Sequence, residues 1–307
     1  MNKLFKLIVI LIVSTAFVLV TLPYELYQEE GYSSVESSKQ KTQFSNNNSL
    51  LYINGNLQLE NYSISGNGTI NNPFLIMDDI FESPNTTYGI YIENTNKYLL
   101  IINCSISAVD YGIVLKNVSS ISFKNCKVFN HKEYGLVISS SKNVTGTDSE
   151  IHNNDNGIKI QESIDILLEK NFISMNYLLG IFLINSFSCD IIDNYIFSNQ
   201  YGIKTENSIY NKIFGNNLEY HENAIHLSHS NFNIIMNNNG ADNLNEIIEK
   251  DCQNNLFENN FPQQEIDLII TEIDVTIIIV FSISFFSIAY MIMNAYRYRK
   301  LSKSPSL

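Results

Sequence analysis

Residues 134–160 read YGLVISSSKNVTGTDSEIHNNDNGIKI, and the reading of this stretch decides the fold. It holds two copies of one step, Tyr134-Gly135-Leu136 and Asn156-Gly157-Ile158. The same step occurs upstream at Tyr88-Gly89-Ile90 and Tyr111-Gly112-Ile113. Downstream it returns at Leu179-Gly180-Ile181, Tyr201-Gly202-Ile203 and Asn223-Ala224-Ile225. From Gly89 to Gly202 the glycines are spaced by 23, 23, 22, 23 and 22 residues, and Ala224 follows after 22 more. A second column keeps step through Ile106, Val128, Ile151, Ile173, Ile196 and Leu218, with Phe261 near the end. Two columns sharing one spacing establish a structural repeat.

Within each repeat apolar residues alternate, as in Ile90-x-Ile92, Ile113-x-Leu115 and Ile158-x-Ile160. Period two means strand. The period is too short for tetratricopeptide, ankyrin or propeller units, and no leucine-rich frame is present. Three short strands and three turns per repeat describe one coil of a right-handed parallel β-helix. A lone coil cannot bury its aliphatic residues, whereas coils stacked about 4.8 Å apart bury them continuously. The expected fold is therefore all-β, a solenoid of roughly nine coils over residues 51–261.

Stacking predicts ladders of like residues in the turns. One runs Asn94, Asn117, Ser140, Glu162, Asn185, Asn207 and His229, followed by Ser141, Ser163, Ser186, Ser208 and Ser230. Another runs Cys104, Cys126, Ser149, Asn171, Asn194, Asn216 and Asn259. Side-chain hydrogen bonds satisfy such turns, and the glycine column is expected to ease a tight bend. Cys104 and Cys126 share a column one coil apart, but parallel stacked side chains meet disulfide geometry awkwardly.

Charged residues make up only 16% of the 307-residue chain, and the formal net charge is −12. Both arginines, Arg297 and Arg299, lie near the C-terminus. This acidity argues against nucleic acid as a partner. From Val275 to Met293 the chain reads VTIIIVFSISFFSIAYMIM without a charge, followed by Arg297, Arg299, Lys300 and Lys303. Such a segment spans about 28 Å as a helix, so a C-terminal transmembrane helix is expected over 275–296. The apolar run Leu7–Leu22 behind Lys3 and Lys6 reads as a signal peptide or signal anchor within 1–23. The expected organisation continues with a disordered polar linker over 24–50, a juxtamembrane linker over 262–274 and a basic cytoplasmic tail over 297–307. The expected location is the cell membrane: the C-terminal helix in the lipid bilayer, the solenoid extracellular or periplasmic, and the tail cytoplasmic.

The segment SISGNGTINNPFLI (63–76), then YGIYIENTNKYLLIINCSI (88–106) and the recurrent Gly-Ile coils, resemble the NosD-like right-handed β-helix group. That group falls within the wider class of carbohydrate-binding and sugar-hydrolase β-helices. The resemblance covers about residues 50–261. It implies an exported protein, associated with surface polysaccharide or with a transporter or metal-delivery system. Enzyme motifs of this fold are absent: there is no solenoid arginine, no NTD or GHG element beside the isolated Asp78-Asp79, and no Asp-Pro-His-Asp.

Chemistry concentrates two residues before each glycine, in the column Asp110, Glu133, Asp155, Leu178, Gln200 and Glu222. Carboxylates on adjacent coils would stand about 5 Å apart, and the outer pair about 10 Å apart. These separations bracket those of glycosidase acid pairs, and carboxylate oxygens also suit Ca²⁺. Three hydrated charges on a turn account for the column equally well. His131 falls in the same turn region and joins Asp110, Glu133 and Asp155 as a catalytic candidate. The three carboxylates are also the metal candidates. The outward row Tyr91, Val114 and Val137 offers an apolar stripe for a glycan or protein contact, or for a covering loop. His221, His226 and His229 cluster in sequence, but copper is disfavoured because strand geometry spreads them apart. The leading expectation is a membrane-tethered, non-enzymatic surface protein that binds glycan or an envelope partner. The alternatives are a glycosidase-type carbohydrate-active enzyme and a NosD-like accessory protein.

Overall fold

The computed structural model describes residues 49–261 apart from Ile64 and Val109. These residues wind into an all-β right-handed solenoid with three parallel sheets. The first sheet stacks nine strands: Ser49–Asn54, Tyr88–Glu93, Tyr111–Lys116, Tyr134–Ser139, Asn156–Gln161, Leu179–Ile184, Tyr201–Glu206, Asn223–Ser228 and Asn245–Lys250. These strands define coils 1 to 9. The second sheet also has nine strands, but the third has seven. Coil 8 closes its third side with only the bridge Asn217↔Asn239, and among the described residues coil 9 has no third strand.

The expectation of nine coils and a C-terminal membrane helix is therefore corrected to a solenoid of about eight turns. Among the described residues no helix is long and apolar enough to cross a membrane. The segment 275–296, the signal or anchor at 1–23, the juxtamembrane 262–274 and the tail 297–307 all lie outside the described residues. The first strand begins at Ser49, two residues inside the expected linker, because Ser49 pairs in register with Tyr88. The one helix described, Asn56–Tyr62, buries Leu59 and Tyr62 within coil 1. The stretch 237–252 supplies the ninth first-sheet strand, Asn245–Lys250.

The interior is the expected aliphatic stack. Ile90, Ile113, Ile158, Ile181, Ile203 and Ile225 are fully buried on successive first-sheet strands, with Ile158 against Ile181 and Ile181 against Ile203. The glycine column has a different cause from the one expected. None of Gly89, Gly112, Gly135, Gly157, Gly180 or Gly202 has a positive φ. A Cβ at most of these positions would run into the carbonyl oxygen of the counterpart residue on the next coil, as Gly157 would into Gly180. Glycine is required by close backbone approach. The left-handed turn positions belong instead to Asn94, Asn117, Ser140, Glu162, Asn185, Asn207 and His229, at φ 48–58°. Asn tolerates this region better than most residues.

Polar ladders line the corners from inside. The backbone N–H of Ser141 donates to Ser163 Oγ, Ser163 to Ser186, Ser186 to Ser208 and Ser208 to Ser230, at 3.1–3.2 Å. In the next corner Asn171, Asn194, Asn216 and Asn238 repeat one motif. Each side chain accepts the N–H of the coil before through Oδ1 and donates through Nδ2 to a carbonyl 25 or 26 residues back. Asn260 ends this column rather than Asn259, which occupies a left-handed position at φ 51°. Cys104 and Cys126 open the column as unbonded, buried thiols. They donate to the Ile102 and Lys124 carbonyls at 3.3 and 3.4 Å.

Candidate functional site

One outer face gathers most of the chemistry. The first-sheet strands of coils 2 to 4 each begin Tyr-Gly, and both the glycine and the following aliphatic residue face inward. That consecutive inward pair shifts the alternation, so the tyrosine before it faces outward. Tyr88, Tyr111 and Tyr134 consequently form a half-buried ladder. Tyr88 and Tyr111 stack at 5.3 Å between centroids, and Tyr111 and Tyr134 at 6.5 Å. Tyr91 joins edge-on to Tyr88 at 5.0 Å and lies 5.6 Å from Tyr52 of coil 1. Val114 and Val137 continue the row of Tyr52 and Tyr91 in register. Val114 is buried and Val137 half-buried against this aromatic surface.

The expected carboxylate column borders this ladder. The Glu133 N–H donates to the Asp110 carbonyl at 2.9 Å, and the Asp155 N–H to that of His131 at 2.9 Å. Asp110 is half-buried, whereas Glu133 and Asp155 are exposed. Burial raises the Tyr111 phenol above its ordinary range, with Glu133, Tyr88 and Asp110 adding to the rise. Tyr134 is raised by burial and then by Glu133. At the other edge Tyr52 Oη donates to Glu93 Oε1 at 2.6 Å. The face therefore sets planar rings between carboxylate acceptors. Among the described residues no three His, Cys, Asp or Glu side chains form a group that could hold a metal ion.

His131 is not part of this surface. Only 2% of it is exposed, and it heads a third internal ladder with Asn154, Asn176, Asn199, His221 and Asn243. Its Nε2 lies 3.3 Å from the Ile106 carbonyl oxygen, and its Nδ1 faces the N–H and carbonyl of Ala108. His221 meets Ile196 and Asn199 in the same way. Both histidines thus do the work of a ladder asparagine, which removes His131 as an acid–base candidate beside the carboxylates. The remaining histidines stand apart. His226 stacks on Tyr201 at 5.6 Å, and His229 lies 3.6 Å from Asp251 in a turn.

The sequence reading places Tyr91 on this face but does not single out Tyr88, Tyr111 and Tyr134. Their signal was present in the repeated Tyr-Gly, but simple alternation from Ile90 and Ile92 would turn Tyr88 inward.

Stacked three-strand coils with inward aliphatic residues and polar corner ladders define the class of right-handed parallel β-helices. The chain belongs to the right-handed β-helix region family, whose model matches residues 88–241. No curated protein matches it. Among solved structures it is similar to the periplasmic alginate epimerase AlgG at a TM-score of 0.53 and 18% identity, covering 60% of this chain and 50% of that one. A double mutant of AlgG gives 0.55 at 18% identity, covering 61% and 50%. The enzymatically active domain of bacteriophage CBA120 tailspike protein 2 gives 0.53 at 14% identity, covering 63% and 32%. This chain thus spans half the length of the epimerase and a third of the tailspike domain, and the likeness is one of fold.

Proposed function

We propose that the chain is a glycan-binding β-helix whose binding face is the tyrosine ladder of coils 1 to 4. The observation that carries this reading is the run Tyr52, Tyr91, Tyr88, Tyr111 and Tyr134, held ring to ring with Glu93, Asp110 and Glu133 alongside. Sugar rings have apolar C–H faces that pack on aromatic rings, while their equatorial hydroxyls donate to carboxylates. Half-buried aromatic rings next to acceptors meet both needs. A fold shared with an alginate epimerase and a tailspike protein supports the reading.

The test is a glycan array probed with the full chain and two variants. Tyr111→Ala, which breaks the ladder at its centre, is expected to weaken binding on the order of 10-fold. Tyr111→Phe keeps the ring and is expected to bind nearly as the parent does. Equal binding by all three proteins would remove the tyrosine face as the site.

A glycosidase reading is the second choice, favoured by one observation. Asp110 and Glu133 lie on adjacent coils, about 5 Å apart by coil spacing, which is the span of a retaining carboxylate pair. It predicts cleavage of a bound glycan that Glu133→Gln abolishes while binding persists. Binding without turnover in the parent protein would leave only the first reading.

A further inference from the structure

Beyond coil 4 the same outer row changes character. In register with Tyr91, Val114 and Val137 it continues as Lys159, Phe182, Lys204 and His226. The Lys159 ammonium lies 5.7 Å from the centroid of the Tyr134 ring. That of Lys204 lies 5.1 Å from Phe182 and 5.7 Å from Tyr201. Lys204 reaches a carboxylate, Glu206, at 3.7 Å, whereas Lys159 has no such ion pair among the described residues. His226 stacks on Tyr201, and its Nδ1 is buried without a hydrogen-bond partner. Burial, then Lys204 and Lys250, hold the His226 imidazole below its ordinary pKa and so favour the neutral ring.

We propose that coils 5 to 8 of this face form an anionic subsite, taking the carboxylate of an acidic sugar within an otherwise neutral glycan. The inference rests on the glycan reading above and deepens it. Lysines held over rings are partly desolvated, which strengthens their pull on an anion. Lys159 and Lys204 are two coils apart, about 10 Å, with the Phe182 ring between them to pack a sugar face. The carboxylates beside coils 3 to 5 repel an anion at the other half. Glu222, exposed beside coil 8, does the same at the far end, so a uniformly charged polyuronate is disfavoured and the ligand's acidic sugar is seated between Lys159 and Lys204. The overall charge of −12 points the same way.

The test compares oligosaccharides, immobilised as matched pairs, that differ only in whether one terminal sugar carries a carboxylate. The full chain is expected to prefer the acidic member about five-fold, and the preference should shrink with added salt. Lys159→Gln and Lys204→Gln are each expected to erase the preference and leave binding of the neutral member intact. Lys212→Gln, in the second sheet, should change neither. Equal binding of both members, or an acid preference that survives both substitutions, overturns the anionic subsite and leaves the tyrosine reading standing. Weaker binding of both members by Tyr111→Ala, with the acid preference kept, separates the two sites. Should no pair bind, sodium glucuronate titrated against lysine side-chain NMR signals decides. Shifts confined to Lys159 and Lys204, absent with glucose, support the subsite, and uniform or absent shifts overturn it.

Discussion

Ile181→Asp abolishes cooperative folding at pH 7, and the reason lies in the stacking. Ile181 is fully buried, with Ile158 on one neighbouring coil and Ile203 on the other. The substitution removes an aliphatic side chain, a loss of about 2–5 kcal/mol for truncation alone. It also places a carboxylate where no cation is within reach, and desolvating that charge costs several kcal/mol more. Together these approach the whole stability of an ordinary domain, about 5–15 kcal/mol. In a solenoid the damage is not local, because each coil is stabilised by its two neighbours. Circular dichroism and urea unfolding check this. The control is Lys116→Gln, exposed at the end of a first-sheet strand, expected to shift stability by no more than about 0.5 kcal/mol. Similar, mild effects at both positions would mean that Ile181 is not interior.

How much of this was legible in the sequence depends on which side chain is asked about. The inward aliphatics were readable because each coil repeats them at 22–23 residues and the strands alternate. The serine and asparagine ladders of two corners are readable as columns too, but the corner that holds His131 is not, for a local reason. Each corner inserts a left-handed residue, such as Asn153 at φ 56° or Asn130 at φ 64°, and that residue breaks the alternation. The next polar side chain then turns inward. His131 follows Asn130, and Asn154 follows Asn153, so both enter the interior ladder. From sequence alone His131 looks like a solvent-facing turn histidine next to Lys132 and Glu133. The outward turn of Tyr88, Tyr111 and Tyr134 has a related cause, at Gly89, Gly112 and Gly135, where two consecutive residues face inward. Asp110 and Glu133 keep one register on adjacent coils because the glycines beside them are held in step by backbone contacts. Residue types therefore revealed the coil, while the pairing of left-handed residues with inward neighbours decides which polar groups reach solvent.

The same ladder makes the fold sensitive to acid in a way that one substitution can isolate. Burial pushes the His131 imidazole down to about 4, outweighing the Ile106 and Ala108 carbonyls, which pull upward. In the unfolded chain the group titrates near 6.5. Above about pH 6.5 both states hold neutral imidazole, and the ladder's stabilisation is fully present. As pH falls from about 6.5 to about 4, the unfolded chain takes up a proton that the folded one refuses, so stability falls across that window. Below the folded value both states are protonated and the loss levels off. The full loss is about 3 kcal/mol for this one group, and His221, lowered chiefly by burial, adds in the same direction. His131→Asn supplies the side chain that Asn154 and Asn176 already use in this column. An Asn Oδ1 can accept the Ala108 N–H and its Nδ2 can reach the Ile106 carbonyl, with no group to titrate. The variant is therefore expected to match the parent at pH 7.5 and to exceed it by about 3 kcal/mol at pH 4, read from urea midpoints at both pH values. Carboxylates titrate equally in the two proteins, so they cancel in the difference. A pH-independent difference between parent and His131→Asn would show that the histidine is not buried as a neutral ladder residue.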